Sequence, residues 1–318
     1  MLPLCSRSVS RVLSVVSLLI FMLTACGMQG AQSEERGKLE VVATTSHLGD
    51  VVRQIAGDSV SLATLLGPGI DPHTYVATEG DLRTFQRADL IIAHGRDLEA
   101  QLARVLNQIG DRGSTMVIAV ADRLDPAQLL SWEPERNMPF DPHVWNDVQL
   151  WKQVVILVRD VLIAADAANT ETYQRRSETY LAELEALDRE LRTAVAQIPP
   201  ERRIIVTAHD AFGYLGRAYG FEVEAVQGIS TEAEASTADI QALTRLVIER
   251  RVPAIFVETT ISPRTIEAVQ AAVRAAGREV ALGGELYSDA LGELDSPTGT
   301  YVGMMRHNIT TIVTALGG

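Results

Sequence analysis

Between residues 170 and 198 the apolar and aromatic residues Tyr173, Tyr180, Leu184, Leu187, Leu191, Val195 and Ile198 recur mostly three or four positions apart. Acidic residues and arginines fill the positions between them. That period belongs to an α-helix with one apolar face. Pro199-Pro200 ends it, because proline has no amide hydrogen to donate and its ring clashes with the preceding turn. At 1.5 Å per residue the run reaches about 40 Å. A rod of that length and stiffness forces the rest of the chain to be arranged around it. Its other use would be a dimeric coiled coil, but about four heptads with Ser177 on the inner face make a weak zipper, and a monomer is expected.

Both flanks of the rod read alike. Before it, β-branched runs at residues 39–44, 60–66, 90–93 and 116–120 alternate with helical patterns at 48–55, 81–87 and 98–109, the first starting behind Ser46 as a cap. After it, strands are expected at 204–207, 221–225, 254–257 and 279–282, and helices at 211–218, 238–250, 264–276 and 301–316. Strands alternating with helices build parallel sheets with helices on their faces. The expected fold class is therefore α/β. Two lobes, residues 38–169 and 199–318, each carry a mostly parallel β-sheet flanked by helices and are joined by the single long rigid helix 170–198.

The first residues have another purpose. Arg7 and Arg11 precede a nearly charge-free apolar run at residues 12–23, too short to span a bilayer comfortably but suited to a secretory signal. The run ends in Leu23-Thr24-Ala25-Cys26 followed by Gly27, which looks like the lipobox of bacterial lipoproteins. The expectation is a signal peptide over residues 1–25, lipidation of Cys26, and a flexible tether over 26–37. The mature protein would be extracytoplasmic and held to the membrane by its lipid. Cys5 leaves with the signal, so Cys26 has no partner for a disulfide and no thiolate metal site can form. A formal charge of −13 repels phosphate backbones and argues against nucleic acid as a partner.

Two of the six histidines sit in the same triplet, in "GIDPHTY" at residues 69–75 and "FDPHVWN" at residues 140–146. Proline fixes its own φ and biases Asp71 and Asp141 toward extended backbone, so each triplet is a stiff bracket carrying an imidazole. His73 and His143 both follow expected strands, at the sheet edge where open α/β folds bind ligands. In the second lobe His209 and Asp289 also lie just beyond strands. Three imidazoles and one carboxylate meeting between the lobes would suit a first-row divalent cation. Behind them, His47 is placed to approach the cleft and support a ligand, and Glu258 either orients a ligand imidazole or serves as a plain helix cap or salt-bridge partner; Asp210, next to His209, reads in the same two ways. His94 and His307 read as packing or surface residues.

These residues resemble a family, the metal-binding lipoproteins of bacterial ABC importers for zinc and manganese. The resemblance runs over nearly the whole mature chain through "DPHTY", "DPHVW", "VTAHDAFGYLGRAYGFEV", "QGISTEAEAS", "IFVETTISPR" and "LYSDALG". It implies two α/β lobes on one long helix, a buried metal held by His73, His143, His209 and Asp289, and delivery of that metal to a membrane permease. Manganese-specific members often have Glu where this chain has His209, which favours zinc (Zn2+) over manganese (Mn2+). Many dedicated zinc receptors carry a His-rich loop before the second ligand, whereas residues 125–140 contain no histidine, which removes one argument for zinc. With the strut limiting hinge motion, small shifts near Asp289 are expected on metal binding. The rival readings are a surface adhesin or scaffold on the same fold and an exported metallohydrolase. The latter is disfavoured because four protein ligands leave no open position for water.

Overall fold

The computed structural model describes residues 37–131 and 140–317. The signal sequence, Cys26 and the tether up to residue 36 lie outside the described residues, as does part of the histidine-free loop. Residues 38–318 form one compact unit.

In the first half, β1 (Leu39–Ala43), β2 (Val60–Thr64), β3 (Leu90–Ala93) and β4 (Met116–Ala119) form one parallel sheet in the order β2-β1-β3-β4. Leu39 stands opposite Val60, Val41 opposite Leu90, and Leu90 opposite Met116. The crossovers are α1 (Ser46–Ala56), α2 (Glu79–Arg87) and α3 (Ala100–Asp111). Thr45, one residue earlier than expected, caps α1 by accepting the Leu48 amide hydrogen bond. Thr78 and Asp81 form a reciprocal capping box on α2, which satisfies two amides that a helix start otherwise leaves open. Because β2 and β3 lie on opposite sides of β1, the strand order reverses there. The crevice beyond the carboxyl ends of β1 and β3 is the ligand-binding position of such sheets.

Next comes α4 (Val148–Ala165), which is not among the helices expected from the sequence. Val148, Trp151, Val154, Val155, Val158, Val161 and Leu162 recur at helical spacing and are buried, with Gln149, Lys152, Gln153, Arg159 and Asp160 on the other faces, so the period of an amphipathic helix is present, although the run of valines also suits a strand. Packing decides otherwise. Asp147 caps the helix by accepting from the Gln149 and Leu150 amides, and α4 lies along α5 (Thr170–Val195). The 26 residues of α5 span about 39 Å. Its inner face buries Tyr173, Ser177, Tyr180, Leu184, Leu187, Asp188, Leu191 and Val195, with each large apolar side chain contributing about 1.5–3 kcal/mol. It packs on α1 and α4 of the first half and on α6 (Gly213–Tyr219) and α9 (Tyr301–Gly317) of the second.

The second half holds two parallel ladders. In one β5 (Ile204–Thr207) pairs with β6 (Glu222–Ala225), and in the other β7 (Ala254–Glu258) pairs with β8 (Ala281–Leu286). β5 and β7 run side by side. Helices α7 (Thr237–Arg250) and α8 (Arg264–Ala275) pack together outside them. The architecture is two-lobed α/β, with parallel strands throughout.

Candidate metal centre

The two Asp-Pro-His triplets fold in the same way at first. Oδ1 of Asp71 accepts the backbone N–H of His73 at 2.9 Å, and Oδ1 of Asp141 accepts that of His143 at 2.9 Å. An aspartate bonding the amide two residues on is an Asx turn, and the intervening proline has no amide to compete. Each bracket thus presents its imidazole from a braced loop.

Four side chains from four different strand exits then converge. Nε2 of His73 and Nε2 of His143 face each other at 3.3 Å. Asp289 Oδ1 is 3.5 Å from Nε2 of His143, and its Oδ2 is 3.2 Å from Nε2 of His209. One donor atom from each of His73, His143, His209 and Asp289 falls within 4.8 Å of all the others, and all four residues are buried. An ion about 2.0–2.1 Å from each donor of a tetrahedron would hold those donors about 3.3–3.4 Å apart, close to the three shorter separations. Asp289 turns one oxygen to each of two imidazoles, so it could also bind an ion through both.

The far side of the rings determines which nitrogen is free. Asp141 Oδ1 lies 2.8 Å from Nδ1 of His143, and Glu258 Oε2 lies 2.6 Å from Nδ1 of His209. A carboxylate there keeps a proton on Nδ1, so Nε2 is the nitrogen each ring offers to an ion, for His209 once the proton shared with Asp289 has been displaced. Glu258 is itself held, its Oε1 accepting the amides of Ala208 at 2.8 Å and His209 at 3.0 Å. Nδ1 of His73 is buried without a partner.

Electrostatics separate these groups. Burial drives the His73 imidazole down to about 3, only partly opposed by Asp289. For His209 burial acts in the same direction, but the Glu258 and Asp289 carboxylates outweigh it and raise its pKa well above the usual histidine value. Burial raises Asp289 too, yet the three neighbouring imidazoles, His209 first, hold it well below the usual carboxylate range. Asp289 Oδ1 has no hydrogen-bond donor. A buried anionic oxygen without a donor is costly, and a cation is the group that satisfies it.

The Asp289 loop belongs to the second half but is fastened to the first. Trp145 Nε1 donates to the Ser288 carbonyl at 2.8 Å, and the Leu291 amide donates to Ser46 Oγ at 2.9 Å. Thr260 Oγ1 adds contacts with Ser288 Oγ at 2.9 Å and Asp289 Oδ2 at 3.4 Å. Motion at Asp289, expected from the sequence, would have to break these bonds.

His47 is not among the converging donors. It stacks on Trp145 with ring centroids 4.7 Å apart, and burial drives its pKa down to about 3. His94 is buried as well, its Nε2 2.7 Å from the Pro142 carbonyl, where it props the second bracket. Asp210 stays outside the donor group, its carboxyl pushed up to about 6 by burial and by Asp141. His307 lies 3.0 Å from the Glu285 carbonyl, away from the centre. Sequence reasoning missed Asp141 and Trp145. The Asp-to-His spacing of two contained the signal for Asp141, since it is the spacing of an Asx turn.

Comparison with known proteins places this geometry among relatives. The family described as zinc-uptake complex component A, periplasmic, matches residues 41–315. The zinc-binding protein TroA of Treponema pallidum is 45% identical over 280 residues, covering 88% of this chain and 89% of that protein. The manganese-binding lipoprotein MntA of Bacillus subtilis is 38% identical over 307 residues, covering 96% and 98% respectively. The solved structure of the Treponema pallidum periplasmic zinc-binding protein superposes with a TM-score of 0.85 over 88% of this chain and 99% of its own.

Proposed function

Because the chain belongs to the family of periplasmic zinc-uptake components, we propose that it captures one divalent transition metal outside the cytoplasm and delivers it to the membrane permease of an ABC importer. It is a binding protein, not an enzyme. Zinc is the favoured cargo and manganese the alternative. The proposed ligands are Nε2 of His73, His143 and His209 together with the Asp289 carboxylate.

One observation carries this reading: three imidazole Nε2 atoms and a carboxylate converge in a buried pocket while carboxylates hold Nδ1 of two of the rings. Capture is a displacement of protons. His209 in the metal-free protein carries a proton between two carboxylates, and the incoming ion replaces that charge. Three nitrogens and a carboxylate suit zinc, and the Irving–Williams order places zinc above manganese at such a set. Asp289 binding through both oxygens would raise the donor number and admit the larger ion.

The remaining parts of the reading concern placement. Residues 1–25 act as the export signal, Cys26 as the lipid-bearing anchor, and residues 26–37 as a tether that lets a monomer reach its permease. Residues 38–169 and 199–318 are the two lobes, with 170–198 between them. The test is metal content of the purified protein and competition between zinc and manganese for it. One equivalent of bound metal, with zinc displacing manganese, is the expected result. No stoichiometric metal of either kind would overturn the reading.

A further inference from the structure

The four proposed ligands are not equally secured. His143 and His209 each have a carboxylate behind Nδ1, and the loop of Asp289 is fastened at both ends. His73 has neither support, for its Nδ1 has no partner. The loop that carries it is also open to solvent, for Ile70 and Thr74 are exposed and Val76 is 67% exposed.

What holds this loop is the side chain of Asp71. Its Oδ1 accepts the His73 amide at 2.9 Å, while its Oδ2 accepts the hydroxyl of Thr74 at 3.0 Å and that of Thr231 at 2.6 Å. Thr231 lies on the loop between β6 and α7, in the opposite half and 160 residues along the chain. Here the two triplets diverge. Asp141 turns its carboxylate onto the ring of its own histidine, whereas Asp71 turns its second oxygen across the cleft.

We infer that Thr231 is a positioning residue for metal retention. Its hydroxyl, through Asp71, holds the His73 loop down over the centre and thereby sets how fast the metal leaves. The inference rests on the receptor reading above. A hydrogen bond to a charged acceptor is among the stronger kinds, and this one crosses between the halves. Breaking it frees the least supported donor and leaves the other three in place. Release then starts at His73, whose loop neighbours Ile70, Thr74 and Val76 are exposed, rather than at Asp289.

The experiment uses the full-length protein loaded with zinc. Release is followed by transfer of zinc to a chromophoric chelator after rapid mixing, and association is measured separately. Thr231→Val, which keeps the side-chain shape without the hydroxyl, should speed release about tenfold while association stays within about twofold. Thr231→Ser should restore release to nearly the wild-type rate. In the metal-free Thr231→Val protein, amide hydrogen exchange should rise over residues 69–77 and remain unchanged over 288–291. Wild-type release in Thr231→Val, or equal acceleration in the Val and Ser variants, would overturn this inference alone. A wild-type protein that takes up no stoichiometric zinc would overturn the receptor reading and this one together.

Discussion

Oε2 of Glu258 stands 2.6 Å from Nδ1 of His209, and the other oxygen of the same carboxylate receives the His209 backbone amide. One side chain therefore orients both the ring and the peptide of a single proposed ligand. The contact also holds a proton on Nδ1, which turns Nε2 toward Asp289 as the nitrogen an ion would take.

Glu258→Gln tests that orientation. The amide can still accept the backbone hydrogens through its oxygen, but it then offers N–H to Nδ1 and drives the ring proton to Nε2. Metal affinity should fall about 10–100-fold, measured by chelator competition. Unchanged affinity would mean that the Glu258 contact is only packing.

His209→Glu exchanges a borderline nitrogen donor for a hard oxygen and adds a negative charge. The zinc-to-manganese affinity ratio should fall by at least about tenfold. The Glu258 carboxylate would then face a second carboxylate in a buried site, so a variant stability loss of about 1–3 kcal/mol should accompany the shift. Competition titrations and urea melts report the two effects separately.

The pH dependence of the metal-free protein follows from its buried histidines. His47 and His73 titrate near 3 when folded against 6.5 as the reference value. Between those values the unfolded chain binds more protons, so stability is lost as pH falls through this window, by about 1.4 kcal/mol per pH unit for each histidine. His209 has the opposite sign. Its raised folded pKa contributes stability that is fully present below pH 6.5 and is lost as pH rises through the folded value. Zinc affinity should accordingly strengthen with rising pH, because the metal must displace the His209 proton. Denaturant melts of metal-free protein from pH 4 to 8 check the first two statements, and competition titrations over the same range check the third.

Trp145→Phe keeps an aromatic ring beneath His47 but leaves the Ser288 carbonyl without its donor. A buried acceptor stripped of its partner costs about 1–3 kcal/mol. Urea melts should show that loss, and hydrogen exchange over residues 288–291 should rise. A change confined to the His73 loop would contradict the fastening described for Asp289.

The sequence made some parts of this molecule readable and hid others for physical reasons. The parallel strands announced themselves as short β-branched runs between helical patterns, and Leu90–Ala93 and Ile204–Thr207 came out residue for residue. Position after a strand did not single out the four proposed ligands, because His47 and His94 also follow β1 and β3; the repeated Asp-Pro-His triplet marked His73 and His143, and the family resemblance marked the full set with His209 and Asp289. Helix α4 went unread although Val148, Trp151, Val155, Val158 and Leu162 carry a helical period, because its valine-rich runs also suit a strand. Ser46 and Thr45 are both good caps, and only the structure shows the first spent on Leu291 and the second on Leu48. The partnership of Asp71 with Thr231 spans 160 residues, a separation no local pattern encodes.

The bond between Ser46 and the Leu291 amide joins positions 245 residues apart. Its consequence concerns assembly of the chain. No fragment ending before Asp289 contains the proposed carboxylate ligand, and none ending before Leu291 contains the bond that fastens its loop. Tight metal binding therefore belongs only to a chain that has been completed and folded through its last strand exit. During export the receptor can be charged with cargo only after nearly all of it has reached the compartment where the metal is collected.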